Sequence, residues 1–367
     1  MGTMSVDSSA GILALLAHDD AKEVRMAVAG NQGAPIDVLR SLADDAQIEV
    51  RASLAANRAT PVDVLRLLAS DEDADVRERV ARNPSTPVDF LRLLASTPVD
   101  ESVLMGIAGN ASTPVDLLRT LAAYEGNAWV RAEVMSNPAT PVDVLRLNVD
   151  DWSEDVRGGI ARNISTPVDV LRRLGENETV YVTQDLASNQ RTPSDLLLEL
   201  HDDWEEIVDR QLASNPMAPP KLLRTLATDD WNEVRAAVGG NPASSSTVLL
   251  ALSSDFDSTV RLGVAHNPAT PVHVLRSLAA DDDDEVRRSV GRNSNTPVEL
   301  LAALAGDDDE SVRTGVASNA STPLEVLQRM ASDEQSEVRA ALASNPRGRD
   351  VRSTPPPALA QFGFRAL

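Results

Sequence analysis

The sequence has no cysteine, few aromatic residues and no long apolar run. Without cysteine, disulfides, thiolate catalysis, zinc–thiolate sites and cysteine-held iron–sulfur clusters are excluded. Aromatic residues make up 3% of the 367 residues, so a core must be built from Leu, Val and Ala. No apolar stretch approaches the roughly 20 residues of a membrane-spanning helix. These shortages favour thin layers of small helices over one thick globular core.

The charge is strongly acidic. The chain has 34 Lys and Arg against 56 Asp and Glu, a net charge of −22. Nucleic acids and anionic membranes carry the same sign, so we expect the chain to bind neither directly and to favour cationic partners. The apolar stretch at 12–17 is too short for a secretory leader. We therefore expect a cytoplasmic protein.

The sequence repeats itself closely. NPATPVDVLR occupies 137–146, and NPATPVHVLR occupies 267–276. Asparagine recurs at intervals of 26 or 27 residues, at Asn31, Asn57, Asn83, Asn110, Asn137, Asn163, Asn189, Asn215, Asn241, Asn267, Asn293, Asn319 and Asn345. A period of this length indicates one structural unit repeated along the chain.

Each of these asparagines separates two predicted short helices. Seven residues before it stands a valine, and four further on another aliphatic residue, as with Val24 and Val28. This i, i+4 pair predicts a helix with one buried face, which we name helix B. In the segment NPSTPVDFLRLLA, Thr86 is the predicted N-cap, Pro87 the first helical residue and Asp89 the acid of a capping box. This second helix is helix A.

Two short helices cannot bury their apolar faces alone, so the repeats must stack on one another. The sequence therefore predicts an all-α solenoid of about twelve 26-residue two-helix repeats. We place the repeats at 12–346. Residues 1–11 are expected to be a leader, whose first four residues resemble a cloning remnant, and 347–367 a flexible tail rich in Pro and Arg.

The repeat NPxTPVDVLRxLAxDxxxxVRxxVAxN resembles the leucine-rich-repeat variant family over about 12–346. The resemblance implies α-helices and 3₁₀-helices in alternation, wound into a right-handed superhelix, and a general role in protein interaction. Some members carry a cysteine-rich iron–sulfur module. This chain has no cysteine, so that module is absent and nothing about redox chemistry carries over. No cofactor or metal is expected.

Two recurring polar positions are predicted to be structural. The asparagine amide is expected to satisfy backbone groups of its turn. An arginine follows the helix B valine in most repeats, as Arg51 does, and is expected to pair with the acid six residues past each asparagine, such as Asp63 or Asp89. Neither position is predicted to be a binding site.

The aromatic residues are concentrated in the middle of the chain. The candidate partner-binding residues are Trp129, Trp152, Tyr181, Trp204, Trp231 and Phe256. Trp152, Trp204 and Phe256 share one position in the repeat, while Trp129 and Tyr181 share another. Stacking is predicted to bring the rings to a common edge. Two interpretations stay open: the rings shield a helix edge, or they form a recognition strip for a cationic peptide.

The C-terminal tail is basic in an acidic chain. It carries four Arg and one Asp, with Phe362, Phe364 and Leu367 after a triple proline. One interpretation is a plain disordered tail. The other is that these apolar residues dock on an acidic groove of the same or a neighbouring chain, which would make self-association depend on the tail.

The sequence favours a non-enzymatic scaffold that binds a protein or peptide with a cationic element on an acidic, aromatic-bearing surface. The alternative is an acidic nucleic-acid mimic that sequesters a DNA- or RNA-binding protein. An enzyme such as a DNA glycosylase needs a basic groove, which the charge balance disfavours. The four histidines show no metal or catalytic spacing, so no catalytic residue is predicted.

Overall fold

The computed structural model describes residues 9–96, 100–176, 179–201 and 206–347, and every regular element in those ranges is an α-helix. The chain forms two compact units, Met1–Thr192 and Pro193–Leu367. The helices of the first unit are α1 (Ser9–Leu16), α2 (Lys22–Ala29), α3 (Ile36–Ser41), α4 (Ile48–Ala56), α5 (Val62–Leu68), α6 (Ala74–Arg82), α7 (Val88–Ser96), α8 (Glu101–Gly109), α9 (Val115–Ala122), α10 (Ala128–Ser136), α11 (Val142–Leu147), α12 (Glu154–Arg162), α13 (Val168–Leu174) and α14 (Val180–Ser188). Those of the second are α15 (Ser194–Glu199), α16 (Glu206–Ser214), α17 (Pro220–Leu226), α18 (Asn232–Gly240), α19 (Ser246–Leu252), α20 (Ser258–His266), α21 (Val272–Leu278), α22 (Asp284–Arg292), α23 (Val298–Leu304), α24 (Glu310–Ser318), α25 (Leu324–Met330) and α26 (Ser336–Ser344).

Odd-numbered helices are helix A and even-numbered ones helix B, so the predicted all-α, two-helix repeat is confirmed. The structure corrects one detail, the alternation of α with 3₁₀. Both helices are α in the described residues: in α5, Leu65 N–H donates to Pro61 O, four residues back, at 2.9 Å. Bonds of 3₁₀ type occur at helix ends, as from Phe90 N–H to Pro87 O. Helix A is long enough to close full α-turns, and it tightens only at its two ends. None of the described helices has the length and apolar character needed to cross a bilayer.

The core of each unit is a layer of aliphatic side chains between the two sets of helices. In α4, Val50 and Leu54 are fully buried, and in α5 Leu65 and Leu68 are buried against them. The leucine of helix A that lies eight residues after each asparagine is equally buried in repeat after repeat, as Leu275 is in α21. Burial of such side chains is the main source of stability, because each contributes roughly 1.5–3 kcal/mol.

The predicted capping box at Thr86 is wrong. Helix α7 begins at Val88, and the Thr86 hydroxyl donates back to Val80 O, in the last turn of α6, at 2.6 Å. The last carbonyls of a helix have no partner inside it, so the hydroxyl satisfies one of them instead of capping the next helix. Asp89 lies in the first turn of α7, where it suits the helix dipole.

The asparagine ladder joins neighbouring repeats. Asn83 Nδ2 donates to Ala55 O at 2.7 Å and to Asn57 O at 2.9 Å, while its Oδ1 accepts from Ser85 N–H at 2.9 Å. The predicted structural role is confirmed, although two of the bonds cross between repeats instead of staying in one turn. The same pair of donations is made by Asn57, Asn110, Asn137, Asn163, Asn189, Asn241, Asn267, Asn293, Asn319 and Asn345.

The helix B arginines bind the acidic turns. Arg51 Nε and Nη2 donate to the two carboxylate oxygens of Asp71 at 2.7 and 3.0 Å, and Nη1 donates to Asp45 O at 2.7 Å. This bidentate pair is largely buried, with side-chain exposures of 11% and 7%. We call the series the turn ladder. Its other members are Arg25–Asp45, Arg131–Asp151, Arg235–Asp255, Arg261–Asp281, Arg287–Asp307 and Arg313–Asp333.

The predicted partner of Arg51 is therefore wrong, because the acids of helix A pair with arginines of the preceding helix A. Asp63 accepts from Arg40 Nε at 2.9 Å, with side-chain exposures of 61% and 50%. Pairs this exposed contribute only about 0–1 kcal/mol. Equivalent pairs are Arg92–Asp116, Arg119–Asp143, Arg146–Asp169 and Arg276–Glu299.

The turn ladder predicts loss of stability in acid. The hydrogen bond from Arg25 holds the pKa of Asp45 below its usual value, and Arg313 does the same for Asp333. At Asp71, burial acts to raise the pKa, but the hydrogen bond from Arg51 outweighs it and the pKa is lowered. A carboxyl with a lowered pKa in the folded state stabilises the fold above the unfolded pKa of about 3.9, and that stabilisation is lost as pH falls through the folded value.

We therefore expect the urea midpoint, followed by circular dichroism, to fall steeply as the pH is lowered below about 4. The double variant Asp45→Asn/Asp71→Asn should have a lower midpoint at pH 7 and a shallower decline in acid. An equally steep decline in this variant would contradict the assignment of the effect to the turn ladder.

Candidate binding grooves on the helix B layer

The spacing of the B helices depends on the residue four positions before each asparagine of the ladder. In α12 this residue is Gly159, where an added Cβ would lie 2.6 Å from Ala132 O of α10. The glycine lets the two helix backbones approach closely. Gly106, Gly263 and Gly315 bring α8 onto α6, α20 onto α18 and α24 onto α22 in the same way.

At two places where this position holds a side chain, a groove lies on the helix B layer. Asp185 of α14 faces α12 across a groove of about 380 Å³, which we call the Tyr181 groove. Glu133 of α10 lines a groove of about 500 Å³, the Trp129 groove, with Met105 of α8. Both lie within the first unit.

The two grooves meet along α12, because Asp155 and Arg162 line both of them. Trp129 and Tyr181 stand on either side of that helix, with 60% and 67% of their surface exposed. Trp129 Nε1 donates to Asp155 Oδ2 at 3.1 Å, which orients the indole toward α12. The structure thus places two of the predicted aromatic residues beside connected grooves.

The grooves are acidic. Their linings include Glu133, Glu154, Asp155 and Asp185 against one base, Arg162, a balance of −3 from four acids and one base. Arg162 Nη1 donates to Asp185 Oδ2. Burial raises the pKa of Asp185 above its usual value, and the charge and hydrogen bond of Arg162 partly oppose that shift. A cationic side chain entering here would meet carboxylates and an aromatic face together.

The other predicted aromatics lie elsewhere. The Trp152 ring is stacked over the Arg131 guanidinium, with its centroid 5.6 Å from Cζ, and Phe256 over Arg235 at 5.2 Å. Both rings therefore cover arginines of the turn ladder, in agreement with the shielding interpretation for their position. Trp231 is the N-cap residue of α18 and lines neither groove. Trp204, Phe362, Phe364 and Leu367 lie outside the described residues.

Sequence reasoning missed Asp155, Arg162 and Asp185 as groove residues. A signal was available: they stand eight, one and four residues before an asparagine of the ladder, on the same helical face as Trp129 and Tyr181. Against an acidic, repetitive background, these polar residues did not stand out from those that only face solvent.

Two consecutive segments of the second unit, 259–283 and 284–309, match the family described as Leucine rich repeat variant. They cover the helix B and helix A pairs that carry the asparagine and turn ladders. These two segments are similar to leucine rich repeat variant repeats. The resemblance predicted from the sequence is confirmed in these residues, and each of the two matched segments supplies one B helix, α20 or α22.

The chain matches several solved structures. One, titled a leucine-rich repeat variant with a novel repetitive protein structural motif, is 26% identical over 60% of this chain and 87% of that chain, with a TM-score of 0.42. A chain of the Pds5-Scc1 complex is 13% identical over 94% and 68%, with a TM-score of 0.27. A designed armadillo repeat protein in complex with peptide (KR)4 is 13% identical over 94% and 99%, with a TM-score of 0.11. No curated protein matches the chain.

Proposed function

We propose that this protein is a non-enzymatic interaction scaffold that binds an extended, cationic peptide segment across α10, α12 and α14. The observation that carries the proposal is the pair of connected acidic grooves, each with one exposed aromatic residue, Trp129 or Tyr181. Exposed aromatics at a groove are typical anchors of an interface.

The chemistry of the grooves favours Arg or Lys. A cation over an aromatic face gains roughly 0.5–2 kcal/mol, and nearby carboxylates add an ionic contact. Arginine suits the site best, because its planar guanidinium stacks on a ring and binds a carboxylate with two donors. Asp155, which lies between the two aromatics, is available to both grooves.

The geometry sets the spacing of the anchors. Packed helices lie about 8–10 Å apart, so the two intervals from α10 to α14 span roughly 16–20 Å. An extended peptide rises about 3.3 Å per residue, so two anchors five or six residues apart would reach the two grooves. A peptide with arginine at positions 1 and 6 is the best probe.

The first test is the double variant Trp129→Ala/Tyr181→Ala with this peptide, labelled with fluorescein and followed by fluorescence anisotropy. We expect its affinity to fall about tenfold or more, since two cation–π contacts are lost. Trp152→Ala is the matched control, because it removes an exposed indole of the same unit that lies outside both grooves. Equal weakening by Trp152→Ala, or no weakening by the double variant, would count against the grooves.

The acidic nucleic-acid mimic is the weaker alternative. Such a mimic needs regularly spaced, free carboxylates, whereas the turn ladder is buried and bound by arginine, and several of the exposed helix A acids are also paired with arginine. Salt distinguishes the two. A mimic should lose its partner steeply with rising ionic strength, while the aromatic anchors should make peptide binding less sensitive. Self-association through the tail and a cytoplasmic location remain predictions.

A further inference from the structure

The second unit has a groove on the same helical face, but its chemistry is reversed. It lies between α20 and α22, has a volume of about 410 Å³ and is lined by Gly240, Thr259, Leu262, Gly263, His266, Glu285, Arg288, Ser289 and Arg292. Arg288 and Ser289 stand 104 residues, or four repeats, after Gln184 and Asp185 of the Tyr181 groove. We propose that this groove, which we call the Arg288 groove, binds a phosphate monoester group.

Arg288 has donors left for a ligand. Its Nη1 donates to Glu285 Oε1 at 2.7 Å, a pair between residues on one turn of α22. Its Nε is buried and, among the described residues, has no hydrogen-bond partner. A buried donor without an acceptor is costly, so an anionic oxygen placed here would be stabilised.

Ser289 supplies a second donor. It is only 7% exposed and lines the groove, and its hydroxyl makes no hydrogen bond to another part of the described structure. At the equivalent position of α4, the Ser53 hydroxyl donates to Glu49 O at 2.7 Å. The same residue type in the same position thus has its donor satisfied in one repeat and available in the other.

Arg292 and His266 complete a cationic end to the groove. Both are exposed, each as the last residue of its helix, and Arg292 forms no ion pair with any described residue. Two guanidinium groups match the oxygens of a phosphate dianion better than those of a carboxylate, because each can donate two hydrogen bonds. Leu262 and Gly263 leave apolar space for the group that carries the phosphate.

Two sources of negative charge oppose the binding of a phosphate: the net charge of the chain and the carboxylate of Glu285. The net charge of −22 acts over the whole chain, but screening at physiological salt limits each charge to about 8 Å. Glu285 is the local competitor. Its carboxylate is half-exposed and its pair with Arg288 spans i, i+3, a kind of contact that contributes only about 0.2–0.5 kcal/mol. A phosphate that binds Arg288 through two donors would displace it.

The test uses the full chain and a fluorescein-labelled heptapeptide with a central phosphoserine, with its unphosphorylated form as the reference. We expect the phosphorylated peptide alone to bind. Arg288→Gln/Arg292→Gln should weaken it by about 10- to 100-fold, as expected for loss of charge-assisted hydrogen bonds. Glu285→Gln should strengthen it several-fold. The matched control is Arg276→Gln/Arg329→Gln, which removes the same charge from exposed sites on helix A of the same unit.

The possible outcomes distinguish binding at the Arg288 groove from nonspecific attraction between charges. Equal binding of both peptides, equal weakening by the control, or unchanged binding in Arg288→Gln/Arg292→Gln would overturn the proposal. Competition by inorganic phosphate at concentrations similar to those of the phosphopeptide would support a small phosphate-containing molecule as the natural ligand. Competition only by the phosphopeptide would support a phosphorylated protein segment. Urea midpoints of each variant show whether it is folded. The peptide with two arginines is not expected to compete, so the two proposals fail separately.

Discussion

Replacing Asn83 with alanine should destabilise the first unit by roughly 3 kcal/mol or more, since it removes two buried hydrogen bonds and a third that is partly buried, and leaves backbone groups without that partner. Two of those bonds reach the Ala55 and Asn57 carbonyls of the preceding repeat. The loss therefore weakens the contact between two repeats as well as one turn. In a stack where each repeat contacts only its neighbours, this interface term matters as much as the stability of each repeat.

Asn31 provides the matched control. It occupies the same position in the first repeat, is exposed, and accepts the same turn bond, from Gly33 N–H at 2.8 Å. Asn31→Ala should cost less than about 1 kcal/mol, the typical value of one exposed hydrogen bond. Urea unfolding followed by circular dichroism measures both changes, and hydrogen exchange of peptides from 50–90 localises the loss. Similar costs for Asn31→Ala and Asn83→Ala would contradict a ladder that joins repeats.

The repeat and its helices could be predicted from the sequence because they depend on local patterns. The i, i+4 spacing of Val24 and Val28 specifies a helical face whatever lies opposite it. The recurrence of Asn83 and its equivalents identifies a repeated turn. These features need only the period, which the chain shows directly.

The partners of the polar ladders could not be predicted, because the regular period that reveals the repeats also makes several pairings recur at constant spacing. In a chain with a 26-residue period, every recurring arginine stands at a constant offset from every recurring acid. Arg51 is 12 residues from Asp63 and 20 from Asp71, and both offsets recur. Only the packing of helix A against helix B shows that Asp71 is within reach, at 2.7 Å.

The grooves depend on packing in a similar way. Trp129 and Tyr181 could be selected from composition and register, but the groove between them depends on which B helices approach closely. That approach is set by a single position, glycine at Gly159 and a carboxylate at Asp185. This position therefore contributes to the gap between neighbouring B helices, and the surrounding residues decide whether a groove is acidic or basic.

The second large effect is expected at such a glycine. In Gly263→Ala, the new methyl group would lie 2.5 Å from Ala236 O, a backbone atom of α18 that cannot rotate away. The two helices must separate, and the fully buried Val260 and Val264 lose contact with α18. We expect a net loss of about 1–3 kcal/mol, as for other overpacked cores, despite the better helix propensity of alanine.

Gly240→Ala is its matched control in the same unit. Gly240 is the last residue of α18, and an added Cβ would meet nothing within 4 Å. Only the better helix propensity of alanine then affects the stability, so this variant should be neutral or more stable by up to about 1 kcal/mol. Gly263→Ala should therefore lower the urea midpoint, while Gly240→Ala should leave it unchanged or raise it, both at an unchanged m-value. A gain in stability in both variants would mean that α18 and α20 do not pack closely at Gly263. Glycine at this position would then not explain why some pairs of B helices pack closely while others leave a groove.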